Sequence, residues 1–90
     1  MKFSFEPELF RKIQAINKTN PKLSKKIQKQ LKFFSENPKY PSLKTHKLKG
    51  GLSELWSISI EGNIRMIYYL SDKEAIFFEI GTHDEVYRRR

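Results

Sequence analysis

The feature that most constrains this chain is a change of hydrophobic period near its middle. Leu23, Ile27, Leu31 and Phe34 recur at spacings of four, four and three, which holds them on one face of an α-helix. Beyond Pro41 the pattern alternates instead. In "ELWSISI" at 54–60, Trp56, Ile58 and Ile60 share one side of a strand. A helical half followed by a stranded half predicts an α+β fold with the helices stacked on a sheet. Ninety residues form one small domain, 1–90, because a chain this short buries only about 60–65% of its unfolded surface and supports one layered core.

The same reading extends to both ends. "KFSFE" at 2–6 alternates Phe3 and Phe5 with polar neighbours, a short first strand. Pro7 suits the first position of a helix, and Leu9, Phe10, Ile13 and Ile16 fall on one face of it. Asn20 and Pro21 then act as N-cap and first-turn residue of a second helix that stops at "ENPKYP". In the stranded half, Gly62 and Asn63 join two strands, and "SDKE" at 71–74 turns the chain into "AIFFEIG", a run suited to a central strand. The expected order is β-α-α-β-β-β, with two N-terminal helices packed on one face of a small, twisted, mainly antiparallel sheet.

Composition narrows the partners. Residues 1–50 hold 13 Lys and Arg against 3 Asp and Glu, whereas 51–90 hold 5 against 7, within a net charge of +8. Such a basic half favours a polyanion, with nucleic acid the leading class. Lysine supplies charge without base-reading geometry, and Lys22, Lys25, Lys26, Lys29 and Lys32 line the polar face of the second helix. Cysteine is absent, which excludes disulfides and thiolate zinc sites and is compatible with a reducing compartment. With no apolar run near the ~18 residues that span a bilayer, the expectation is a soluble cytoplasmic protein with no membrane contact.

Three segments carry a resemblance: "HKLKG" at 46–50, "RMIYYL" at 65–70 and "GTHDEVY" at 81–87. In this order, in a short basic chain, they resemble the RelE/ParE superfamily of bacterial toxins, and within it the YafQ-like messenger-RNA interferases. The resemblance implies a RelE-like microbial RNase fold and a toxin of a type II toxin–antitoxin pair. It further implies inhibition of translation by cutting mRNA in the ribosomal A site without metal or cofactor. The implied partners are the ribosome with its mRNA and an acidic antitoxin that covers the basic face in a hetero-oligomer.

Metal-free RNA cleavage uses the 2′-hydroxyl as nucleophile. It needs a base for that proton, an acid for the 5′-oxygen and a cation for the phosphorane. Histidine suits both proton transfers, and the chain has two. His46 is flanked by Lys44, Lys47 and Lys49, a setting that favours a neutral imidazole able to accept a proton. His83 follows the last strand, in a segment where Thr82 and Glu85 can form a capping box. Tyr87 then lies one helical turn beyond it, placed to stack on a base. Arg65 alternates away from Ile64, Met66 and Tyr68 and, on the open face, would hold the scissile phosphate; a cross-strand pair with Glu61 or Glu79 is the structural alternative. His46, Arg65, His83 and Tyr87 are the expected catalytic set, and Lys44, Lys47, Lys49 and Arg88 the expected RNA contacts. A meander places the start of its first strand and the end of its third at opposite ends, so residues 44–50 must run back across the sheet for His46 to approach His83. Where the resembled toxins carry a histidine and an aspartate–tryptophan pair, this chain has Ser59, Asn63 and Ile64. A ParE-like gyrase inhibitor is the alternative function, and a plain RNA-binding module the third.

Overall fold

The structure, a computed structural model, describes residues 1–48 and 54–88, without the side chains of Tyr87 and Arg88. Its elements are β1 (Lys2–Phe5), α1 (Pro7–Thr19), α2 (Pro21–Glu36), a 3₁₀ turn (Pro41–Leu43), β2 (His46–Lys47), β3 (Trp56–Glu61), β4 (Ile64–Ser71), β5 (Glu74–Thr82) and α3 (His83–Arg88). They form one five-stranded sheet in the order β1-β5-β4-β3-β2. The β1–β5 pair is parallel and the other three pairs are antiparallel. The six expected elements are present, and β2, the 3₁₀ turn and α3 add to them.

Local chemistry explains the boundaries. Pro7 and Pro21 open α1 and α2, where a missing N–H costs nothing. The Asn20 side chain caps α2 by accepting from Leu23 N at 3.2 Å. In the β3–β4 turn, Gly62 has φ 51°, a left-handed conformation that a side chain would strain. Asp72 and Lys73 both adopt positive φ, the pattern of a tight type I′ turn between β4 and β5.

Both helices cover the same sheet face. Leu9 and Ile13 of α1, and Leu23, Ile27, Leu31 and Phe34 of α2, bury against Ile58, Ile60, Met66, Tyr68 and Phe77. Phe34, fully buried, meets Tyr68 and Phe77 edge-on, with centroids 5.1 and 5.2 Å away. Truncating it to alanine would cost about 3–5 kcal/mol. Trp56 stacks on Tyr68 at the rim of this core. Phe10 departs from the expected apolar stripe: it is 48% exposed, because it lies a little over a quarter-turn from the buried Leu9, with its ring against Phe5.

One buried polar residue sets the approach to the far side. Gln30 projects from α2 and donates to the carbonyls of Ser59 at 2.8 Å and Ser42 at 3.2 Å. The β3–β4 register shifts between Ser59 and Glu61, and Gln30 satisfies the Ser59 carbonyl at that irregularity. It thereby ties α2, the 3₁₀ turn and β3 together, fixing where the chain enters β2.

Candidate active site

With the helices on one face, strand alternation sends Arg65, Ile67 and Tyr69 to the other. The registers align two rows across this open face. Ser59, Arg65 and Gly81 form one, and His46, Ser57, Ile67 and Glu79 form the next. Directly paired residues share a face, so the short strand β2 brings His46 onto the side that carries Arg65. Within the segment expected to run back along the sheet, His46 pairs with Ser57 and Lys47 with Trp56, while residues 49 and 50 lie outside the described residues.

Arg65 is buried, at 8% exposure. Its Nε donates to Ser57 Oγ at 3.1 Å. One terminal nitrogen donates to the Lys44 carbonyl at 3.0 Å and lies 3.3 Å from His46 Nδ1. These acceptors are neutral, and no ion pair among the described residues includes Arg65. Lys44 has φ 47° and ψ 46°, a left-handed backbone costing roughly 1–2 kcal/mol for a side-chain-bearing residue. That conformation points its carbonyl at the guanidinium.

The same carbonyl lies 3.2 Å from His46 Nδ1. In the tautomer whose Nδ1–H donates to it, the ring lone pair sits on Nε2, and the Arg65 nitrogen is a neighbour of Nδ1 and not its donor. His46 and the Lys44 side chain are exposed. Lys47 alternates to the opposite side of β2 from His46 and pairs with Glu54 at 2.9 Å, so its charge is engaged away from the Arg65 row. Lys49 lies outside the described residues. The exposed lysines of α2 point away from the sheet, on the far side of the molecule from Arg65.

His83 begins α3. Glu85 N donates to Thr82 Oγ1 at 3.2 Å, and Thr82 N donates to Glu85 Oε1 at 2.9 Å, the reciprocal bonds of a capping box. The His83 N–H donates to the Asn63 carbonyl at 2.7 Å, anchoring the start of α3 to the β3–β4 turn. Gly81 lets α3 settle onto the open face, since a Cβ there would lie 3.2 Å from Glu85 Oε1 and 3.4 Å from Val86 Cγ1. Val86 is accordingly buried. The His83 ring is exposed, with Nδ1 3.9 Å from Asp84 Oδ1. Tyr87 follows one turn later in α3, but its side chain and that of Arg88 lie outside the described residues. Arg65 and His46 therefore meet, while His83 stands across the sheet: β2 and β5 are three strand positions apart, about 14 Å, and His83 lies four residues beyond Glu79, the β5 residue in the His46 row.

Sequence reasoning missed Ser57 and the Lys44 carbonyl, which orient Arg65. Ser57 was legible only once β2 was paired, and a backbone carbonyl leaves no side-chain signal. Among the described residues, no three histidines or acids converge as metal ligands, and no helix is long and apolar enough to cross a membrane.

Comparison with known proteins agrees with this architecture. The YoeB–YefM complex from Staphylococcus aureus superposes with TM-score 0.74 at 26% identity, covering 92% of this chain and 97% of the other. YafQ from E. coli strain BL21(DE3) gives 0.71 at 18% identity, covering 96% and 97%. Archaeal RelE in its RelE–RelB complex from Pyrococcus horikoshii OT3 gives 0.69 at 14%, covering 90% and 92%. No curated protein sequence matches the chain. The family model described as the bacterial toxin of type II toxin–antitoxin system, YafQ, matches residues 1–88. The chain is thus a member of the YafQ family of type II toxins, within the RelE/ParE superfamily.

Proposed function

We propose that this toxin cuts mRNA on the ribosome by metal-independent acid–base chemistry and so stops translation. The observation that carries the reading is the buried Arg65 guanidinium, surrounded by neutral acceptors and, among the described residues, without a carboxylate partner. Desolvating an uncompensated cation costs several kcal/mol, and a phosphodiester arriving on the open face supplies the missing charge. Arg65 then strengthens its hold as the phosphorane gains negative charge.

Proton transfers flank that phosphate. His46 Nε2 takes the 2′-hydroxyl proton, the 2′-oxygen attacks phosphorus, and His83 delivers a proton to the departing 5′-oxygen. The products are a 2′,3′-cyclic phosphate and a 5′-hydroxyl end. The RNA lies between the two histidines, over Arg65, and Tyr87 stacks on a base beside the leaving group. Lys44 contacts phosphate at the His46 side, and Lys49 and Arg88 are the further proposed RNA contacts. Because so few groups converge, a ribosome that presents the mRNA in a fixed pose supplies much of the orientation.

An antitoxin completes the system. The related YoeB is paired with YefM in its complex, and an acidic antitoxin segment that folds as it binds would neutralise charge over the basic face and, reaching the open face, block access. The reading places the toxin in the cytoplasm, where ribosomes translate. Incubation with programmed ribosomes, with and without a chelator, tests it: cleavage in both samples and none without ribosomes is expected. Intact mRNA accompanied by inhibited gyrase supercoiling would overturn the proposal in favour of ParE-like action.

A further inference from the structure

The end of the sheet beyond the His46 row holds a second feature, where the open face meets the sheet rim. A groove of about 550 Å³ is lined by Glu6, Glu54, Leu55, Trp56, Tyr69, Leu70 and Phe78. We propose that it holds the base of a nucleotide flanking the cleaved phosphate, with guanine preferred, stacked on Tyr69 and Phe78 and hydrogen-bonded through its Watson–Crick edge to Glu6. This inference rests on the ribonuclease reading above.

Local structure builds the shelf. The β4–β5 register shifts so that Ile67 pairs with Glu79 and Tyr68 with Phe77, leaving Phe78 as the extra residue of a bulge. Bulges re-aim side chains, and Phe78 meets Tyr69 with centroids 5.8 Å apart at 46°. Tyr69 lies four residues along β4 from Arg65, about 13 Å, so the groove sits beside the phosphate position and not on it. An aromatic surface of this kind gives an unstacked base about 1–3 kcal/mol of binding.

Charge selects the base over the phosphate. In a chain of net charge +8, this groove carries two carboxylates. Lys47 engages Glu54 and, through that hydrogen bond and its charge, holds the Glu54 carboxyl below the usual value. Glu6 is the residue before α1, yet its side chain makes no cap hydrogen bond. It turns instead to the open face, where Tyr69 Oη donates to Glu6 Oε2 at 2.8 Å. A carboxylate there repels phosphate and accepts N–H donors. Guanine offers two adjacent donors on its Watson–Crick edge, matching the fork of a carboxylate, whereas uracil offers one donor between two carbonyls.

Trp56, the only tryptophan in the chain, lines the groove and reports occupancy by fluorescence. Titration with 5′-GMP, 5′-UMP and ribose 5-phosphate should show GMP binding at least about fivefold tighter than UMP, the low end of the discrimination a bidentate pair provides. Tyr69→Ala should weaken GMP about fivefold or more, Tyr69→Phe should retain the stacking, and Glu6→Gln should bring the GMP and UMP affinities together. Equal binding of all three ligands, or a preference unchanged in Glu6→Gln, overturns the base site. RNA cleavage without nucleotide discrimination overturns this inference alone. Discrimination in a chain that cuts no RNA overturns the ribonuclease reading, and with it the placement of the base beside a cleaved phosphate.

Discussion

Replacing Arg65 by methionine separates stability from function. The variant keeps an unbranched side chain of similar reach while removing the cation. It loses hydrogen bonds to Ser57 Oγ and the Lys44 carbonyl, and each buried acceptor left unpaired costs about 1–3 kcal/mol. It also removes a desolvated charge whose burial costs several kcal/mol. The two effects offset, so Arg65→Met should unfold in urea within about 2 kcal/mol of the wild type. Its response to anions should change entirely. Phosphate at ten times its dissociation constant stabilises a one-site protein by RT ln 11, about 1.4 kcal/mol. For a domain of this size that raises Tm by roughly 6–11 °C. At constant ionic strength the wild type should show this shift and Arg65→Met should not. Equal shifts would mean that phosphate acts by general exclusion from the surface, and a loss above about 4 kcal/mol in the variant would make Arg65 a structural residue. Either result refutes the argument.

Three further substitutions address other parts of the account. His83→Ala should lower mRNA cleavage at least ~10²-fold while changing urea stability by no more than about 0.5 kcal/mol, because the ring is exposed. Gln30→Leu should cost about 1–3 kcal/mol in the same denaturation measurement, since it strands the Ser59 carbonyl. Tyr68 tests the core through pH: burial pushes its phenol up to about 12, against about 10 unfolded. The protonated fold keeps its full stability below pH 10 and loses up to about 3 kcal/mol as pH rises from 10 to 12. Tyr68→Phe should therefore decline less steeply over that window in a pH series of urea melts.

How much of this was legible depended on how many residues carried each signal. The helices were readable because their caps and apolar stripes span several turns, down to Asn20 accepting from Leu23. Alternation alone put Arg65 on the face away from Met66 and Tyr68, and Thr82 with Glu85 announced the start of α3. Strand β2 was not readable as such. Two residues, His46 and Lys47, are too few to establish a period, so the sequence could state only that the segment had to return across the sheet. That gap hid the separation of His46 from Lys47, which point to opposite faces, and the role of Ser57. The Phe78 bulge and the left-handed Lys44 likewise depend on pairings between distant segments. The helical half was encoded locally, whereas the candidate site arises from long-range register.

The central claim is that Arg65 and the two histidines act on one phosphodiester. Primer extension on an mRNA under translation, with ribosomes and the wild type, Arg65→Met, His46→Ala or His83→Ala, tests it most directly. The account predicts cuts in register with codons for the wild type and loss of those cuts in all three variants. Cuts that persist in the variants, or an mRNA left intact by the wild type, would contradict it.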